Sequence, residues 1–170
     1  MRSLAFFVAL AGCAGDRPPL ALAPHVDLSR FMGDWYVIAS IPTPLETDAH
    51  AAMESYRRAA DGSIETTFRY RPGGFDAPEK VMRPRGFVRE GTGNAVWGMR
   101  FVWPIEADYR IAWVAPDYSQ AVIGREARDY AWIMARAPAI PAADLQRLSA
   151  LLAAQGYDVS RLRQVPQASR

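Results

Sequence analysis

Few residues in this 170-residue chain have the types and spacing for covalent chemistry. Its two histidines, His25 and His50, are far apart, and a zinc site needs three or four ligands. Asp48 and His50 could form an acid–base pair, with Ser40 or Ser55 as nucleophile. No nucleophile-elbow sequence accompanies them. There is no phosphate loop and no dinucleotide fingerprint. Glu46, Asp48 and Glu54 read as solvated rim carboxylates, with Glu54 alternatively a polar group near a cavity. Arg57-Arg58 and the series Arg83, Arg85 and Arg89 read as solvated strand faces, or as a basic rim that meets anionic lipid head groups. Cys13 is the only thiol, and so the only sulfur nucleophile.

The surroundings of Cys13 give that thiol a use. Leu10-Ala11-Gly12-Cys13 follows a short positive start, Met1-Arg2, and an apolar run from Leu4 to Ala11. This layout resembles a bacterial lipoprotein signal peptide. The resemblance implies cleavage after Gly12 and lipid on the thiol and new amino terminus of Cys13. The apolar run is far shorter than the ~20 residues of a spanning helix and is set apart from the fold. Residue 14 is alanine rather than aspartate, which by resemblance to enterobacterial sorting implies the outer membrane. Residues 13–25, with Pro18, Pro19 and Pro24, read as an extended tether. The expected division is therefore signal peptide 1–12, lipid-anchored tether 13–25 and one folded domain 26–170.

Removing 12 of the 170 residues leaves 158, enough for one domain with a substantial core. Half the residues are apolar and 11% aromatic, which fits a globular chain. The net charge of +2 gives no reason to expect a nucleic-acid partner. With Cys13 lipidated no disulfide is available, so packing alone must hold the fold.

Eight short stretches of strand character follow one another between turn signals. They are 33–41, 50–60, 63–71, 80–89, 95–103, a sixth beyond Pro104 containing Tyr109, Ile111 and Trp113, then 121–125 and 130–136. Asp61-Gly62 is a strong hairpin signal. The links are short, which predicts an all-β, antiparallel, up-and-down meander, best closed as a barrel. One helix follows, opened by Pro141, striped by Leu145, Leu148, Leu151 and Leu152, and ended by Gly156. A single apolar stripe predicts packing on the outside of the barrel. Residues 157–165 could add a short edge strand.

Trp97, Met99 and Phe101 alternate on the fifth strand, and Tyr109, Ile111 and Trp113 on the sixth. Neighbouring strands would merge these faces into one wall, to which Tyr56 and Phe68 add. The wall either lines a cavity or fills the barrel completely.

Gly33-Asp34-Trp35-Tyr36, following Phe31, resembles the first signature of the lipocalin family. Pro116-Asp117-Tyr118 lies where that family carries its second signature, with Pro116 in place of the usual threonine. Arg136 matches the third. Residues 129–136 and Gly156-Tyr157-Asp158 are similar to the bacterial branch, which includes outer-membrane lipoproteins. The resemblance spans 26–165 and implies an eight-stranded barrel with one C-terminal helix. It also implies that Arg136 stacks on Trp35 at the closed end, so that Gly33, Trp35, Asp117, Tyr118 and Arg136 are structural. Finally, it favours a cavity that takes a fatty acid or lysophospholipid without catalysis and without cofactor or metal. Two other readings stay open: a lipid- or isoprenoid-modifying enzyme using Glu54 or Asp48, and a filled barrel that binds another envelope protein.

Overall fold

The computed structural model describes residues 17–168, so the signal peptide and Cys13 lie outside the described residues. The elements run α1 (Leu28–Phe31), β1 (Gly33–Ile41), β2 (Ala49–Arg58), β3 (Ile64–Pro72), β4 (Lys80–Met82), β5 (Arg85–Val88), β6 (Val96–Val102), β7 (Ile105–Val114), β8 (Gln120–Gly124) and β9 (Ala131–Ala135). Helix α2 (Ala142–Ala154), a single 3₁₀ turn (Val159–Arg161) and β10 (Arg163–Gln164) complete the chain. Every strand pairing is antiparallel; the strands succeed one another in chain order except that β4 lies off the path on β3 and β10 returns to β1, and β1 also pairs with β9 from Tyr36–Ala135 to Ile41–Ala131. That seam closes the sheet, so that only the short strands β4 and β10 keep a free edge.

The expected fourth strand, 80–89, is instead two pieces. Pro84 lacks an N–H and interrupts the ladder; its carbonyl accepts from Thr66 N at 3.2 Å. β4 pairs with β3 alone, whereas β5 pairs with both β3 and β6. Together they form one stave, so the barrel has the eight expected. The expected edge strand is β10, two residues long, on Ala39 and Ser40 of β1.

Within the expected tether 13–25, the described residues 17–25 lie against the barrel. Leu20 and Ala23 are buried. Arg128 Nη2 donates to Pro18 O at 2.7 Å, the Glu126 carboxylate accepts from Leu20 N, and Ala23 N donates to Ile111 O at 3.0 Å. The prolines do keep this segment extended, but its apolar residues give it a face that packs along the barrel. A one-turn helix, α1, also went unforeseen. Asp27 caps it by accepting from Ser29 N at 2.8 Å and Arg30 N at 3.3 Å.

The core has two layers. Inside the barrel lie Phe31, Trp35, Tyr56, Ile64, Trp97 and Ile111. Outside, Leu148 and Leu152 of α2 are fully buried on Ile38, Val122 and Ile133. The helix therefore covers β1, β8 and β9, as its single stripe requires.

Candidate functional site: the barrel cavity

The closed end is built first, because it sets the depth of everything above it. Trp35 is fully buried and its Nε1 donates to Phe31 O at 2.8 Å. The Arg136 guanidinium lies 3.8 Å above the indole ring. It also donates to the carbonyls of Asp34 (2.7 Å), Arg30 (2.7 Å) and Met32 (2.8 Å), which the end of the barrel would otherwise leave free. Gly33 has φ +95°, and a Cβ there would sit 3.4 Å from Arg136 Nη1. A side chain at 33 would thus strain the backbone and crowd the guanidinium.

The Pro116-Asp117-Tyr118 turn supports the same plug. Asp117 accepts from Ser119 N (3.0 Å) and Oγ (2.7 Å). The Tyr118 hydroxyl accepts from Asp27 N at 2.8 Å, and Arg30 lies over its ring. Pro116 contributes its carbonyl, which accepts from Arg30 Nη2 at 3.0 Å.

Above the plug comes an aromatic floor. Phe31 packs against Trp35, Tyr56 and Trp97 at 5.0–5.6 Å between ring centres. Trp97 stacks on Tyr109, and the Tyr56 and Tyr109 hydroxyls share a hydrogen bond of 2.7 Å. Nothing apolar could be added at this level without displacing a ring.

Above the floor the barrel is open. A cavity of about 260 Å³ is lined by Phe68, Met82, Met99, Tyr109, Trp132 and Met134, with Phe101 at its mouth. The loop from Thr43 to Glu46 and the loop after β8, with Arg125 and Tyr130, frame the opening. Of the residues expected to form the apolar wall, Phe68, Met99, Phe101 and Tyr109 meet here. Tyr56, Trp97 and Ile111 belong to the packed core beneath.

Trp113 is elsewhere. The β7–β8 register shifts between Ile111–Ile123 and Trp113–Val122, so Ala112 and Trp113 both point outward. Trp113 lies beneath α2, with the Arg147 guanidinium 5.0 Å from its ring. One bulged residue thus breaks the continuous wall that strict alternation predicts. Trp132 and Met134 supply inward bulk in its place. Their alternation with outward Ile133 was visible in sequence, but which face looked inward was not.

Two carboxylates face this apolar space. Glu46, expected at a solvated rim, is 7% exposed; its Oε1 accepts from Trp132 Nε1 (3.1 Å) and Thr43 N (3.2 Å). Burial raises its pKa, against the pull of those donors. Glu54 stands in the cavity wall, where burial pushes its pKa up to about 7, with a hydrogen bond to Tyr56 opposing and the Glu46 charge reinforcing. Its Oε2 is buried without a hydrogen-bond partner.

A folded-state pKa above the usual 4.5 means that the folded protein holds the Glu54 proton more tightly than the unfolded chain. This stabilisation is full below about pH 4.5 and is lost as pH rises through about 7, a change on the order of 3 kcal/mol. Glu54→Gln removes the titration. The variant should gain stability over the parent between about pH 5 and about pH 8, as read from urea unfolding at each pH.

The proposed catalytic grouping is loose: Ser40, Asp48 and His50 border one surface hollow, but no hydrogen bond joins Ser40 to His50 among the described residues. His50 Nδ1 is 3.9 Å from an Asp48 carboxylate that is 72% exposed, and its ring meets Phe75 edge-on. Ser55 Oγ donates instead to Asp34 Oδ1 at 2.6 Å.

Residues 26–167 match the family described as a lipocalin-like domain. The chain belongs to the lipocalin family. Lipocalins bind small lipophilic molecules, and this cavity suits such a ligand. Among relatives, the chain is 26% identical to temperature-induced lipocalin-1 of Arabidopsis thaliana, covering 89% of this chain and 85% of that one. It is 25% identical to outer membrane lipoprotein Blc of Escherichia coli K12, covering 93% and 90%. Among solved structures, insecticyanin from the tobacco hornworm Manduca sexta superposes with a TM-score of 0.69 at 16% identity, over 89% of this lipocalin and 86% of insecticyanin. This last likeness speaks for the barrel alone.

Proposed function

We propose that this lipocalin is anchored through Cys13 to a bacterial outer membrane and carries a single-chain amphiphile, a fatty acid or lysophospholipid, without catalysis. The observation that carries the reading is the shared position of three features. The cavity opens at the end of the barrel where Arg128 holds Pro18. Four residues lie between Cys13 and Pro18, and the five backbone steps reach at most about 18 Å. The β6–β7 hairpin at the same end leaves Phe101, Val102, Trp103 and Ile105 54–77% exposed. Such a tip suits the interface between water and lipid. A ligand leaving the bilayer would then find the cavity mouth directly in front of it. The name of the Escherichia coli relative agrees with that location.

Cys13→Ser should abolish palmitate labelling and release the protein from the membrane fraction. Native mass spectrometry of the released protein, purified without added lipid, should show a bound amphiphile and an unmodified ligand mass after incubation with lysophospholipid. Label and membrane association that persist in the variant would rule out the anchor; an empty barrel that takes up no added lipid would rule out the cargo.

A further inference from the structure

The cavity is mostly apolar, and two of the polar groups that line it, Glu54 and Arg125, carry an orphaned atom. At the bottom, Glu54 pairs across the sheet with Trp35 of the plug and with Phe68, one inward position above Tyr56. Its Oε2 is an acceptor without a donor. At the mouth, Arg125 lines the opening with its Nε buried and unpartnered, although Nη1 reaches Asp129 at 3.1 Å. A buried polar atom left unpaired costs free energy, so each is a place where a ligand group gains more than it would in water.

We propose that the preferred ligand is a hydroxylated fatty acid, with its carboxylate at Arg125 and its chain hydroxyl donating to Glu54. This inference rests on the lipid-binding reading and narrows it. A plain acyl chain seated tail-down would bring methyl groups against the unpaired Glu54 oxygen. A hydroxyl at that depth fills the missing bond. In a cavity without a buried acceptor the order would be the reverse, because the hydroxyl would be stripped of water for nothing. The preference is therefore diagnostic of Glu54 rather than of hydrophobicity.

The probes are decanoic acid and 10-hydroxydecanoic acid, titrated by isothermal calorimetry into the full-length Cys13→Ser protein. The parent should bind the hydroxy acid at least about 5-fold more tightly than the plain acid. Glu54→Leu should reverse this order by tightening the plain acid and weakening the hydroxy acid. Glu54→Gln keeps a carbonyl acceptor and should keep the hydroxy preference; it also serves if the leucine variant does not fold. Arg125→Met should weaken both acids and leave 1-decanol unchanged. If the parent binds both acids but prefers the plain one, or if Glu54→Leu leaves the preference intact, the inference is overturned while the lipid-binding reading stands. If neither acid nor 1-decanol binds, the lipid-binding reading itself fails, and this inference falls with it.

Discussion

Trp35→Ala should destabilise the barrel by about 3–5 kcal/mol, the range for losing a buried large aromatic side chain. The site cannot collapse to fill the space. The indole is fully buried between Phe31 and the Arg136 guanidinium, and its N–H satisfies Phe31 O. Arg136→Ala should also be costly, because it frees the carbonyls of Arg30, Asp34 and Met32 together. The stack contributes roughly 0.5–2 kcal/mol. The two losses should therefore not add, with a coupling of at least about 0.5 kcal/mol in a double-mutant cycle measured by denaturant unfolding. Strict additivity would show that guanidinium and indole are neighbours without an energetic link.

Met99→Arg should abolish amphiphile binding. Met99 is 4% exposed, lines the cavity and lies over Gly86, where its sulfur would be 3.0 Å from an added Cβ. A guanidinium entering this space would be desolvated beside apolar groups and would occupy the ligand's volume. Circular dichroism separates lost binding from lost folding. Met99→Ala is the milder partner: it enlarges the cavity and should keep binding while lowering stability by about 2–5 kcal/mol. Tryptophan fluorescence reads both, and Trp132 is the reporter placed to respond, since it lines the cavity whereas Trp97 is in the floor and Trp113 is outside. A folded Met99→Arg protein that binds decanoic acid as tightly as the parent would remove this wall from the ligand site.

Much of the architecture was legible because it rests on local signals. Alternation marked the staves, Asp61-Gly62 marked a hairpin, and one leucine stripe marked a helix with one buried side. The plug was legible through Gly33, Trp35 and Arg136; Arg136 lies about a hundred positions beyond the other two and meets them only because the meander closes, and family resemblance supplied its stacking on Trp35. What failed depends on single residues. Pro84 split a stave, and the extra residue Ala112 turned Trp113 outward. Glu46 looked like a surface charge because nothing local reveals that a loop folds it down onto Trp132. The depth of the floor was equally hidden, since alternation tells inside from outside but not how far rings from opposite walls fill the middle. Tyr56, Trp97 and Ile111 are inward residues by that test, yet they sit below the cavity.

The interrupted stave also decides how the barrel responds to load. On one side, β1 and β9 are joined by five residue pairs and backed by α2. On the other, β4 holds to β3 through three pairs, at Phe68–Met82, Arg69–Val81 and Tyr70–Lys80, and to no other strand. Met82 is in the cavity wall and Val81 faces outward at 39% exposure. Swinging β4 away breaks one short ladder and leaves the seam, the floor and the plug untouched. The backbone pairing is thus uneven around the barrel, with three residue pairs holding β4 against five at the β1–β9 seam, so the cavity wall at Met82 rests on the shorter of these two ladders.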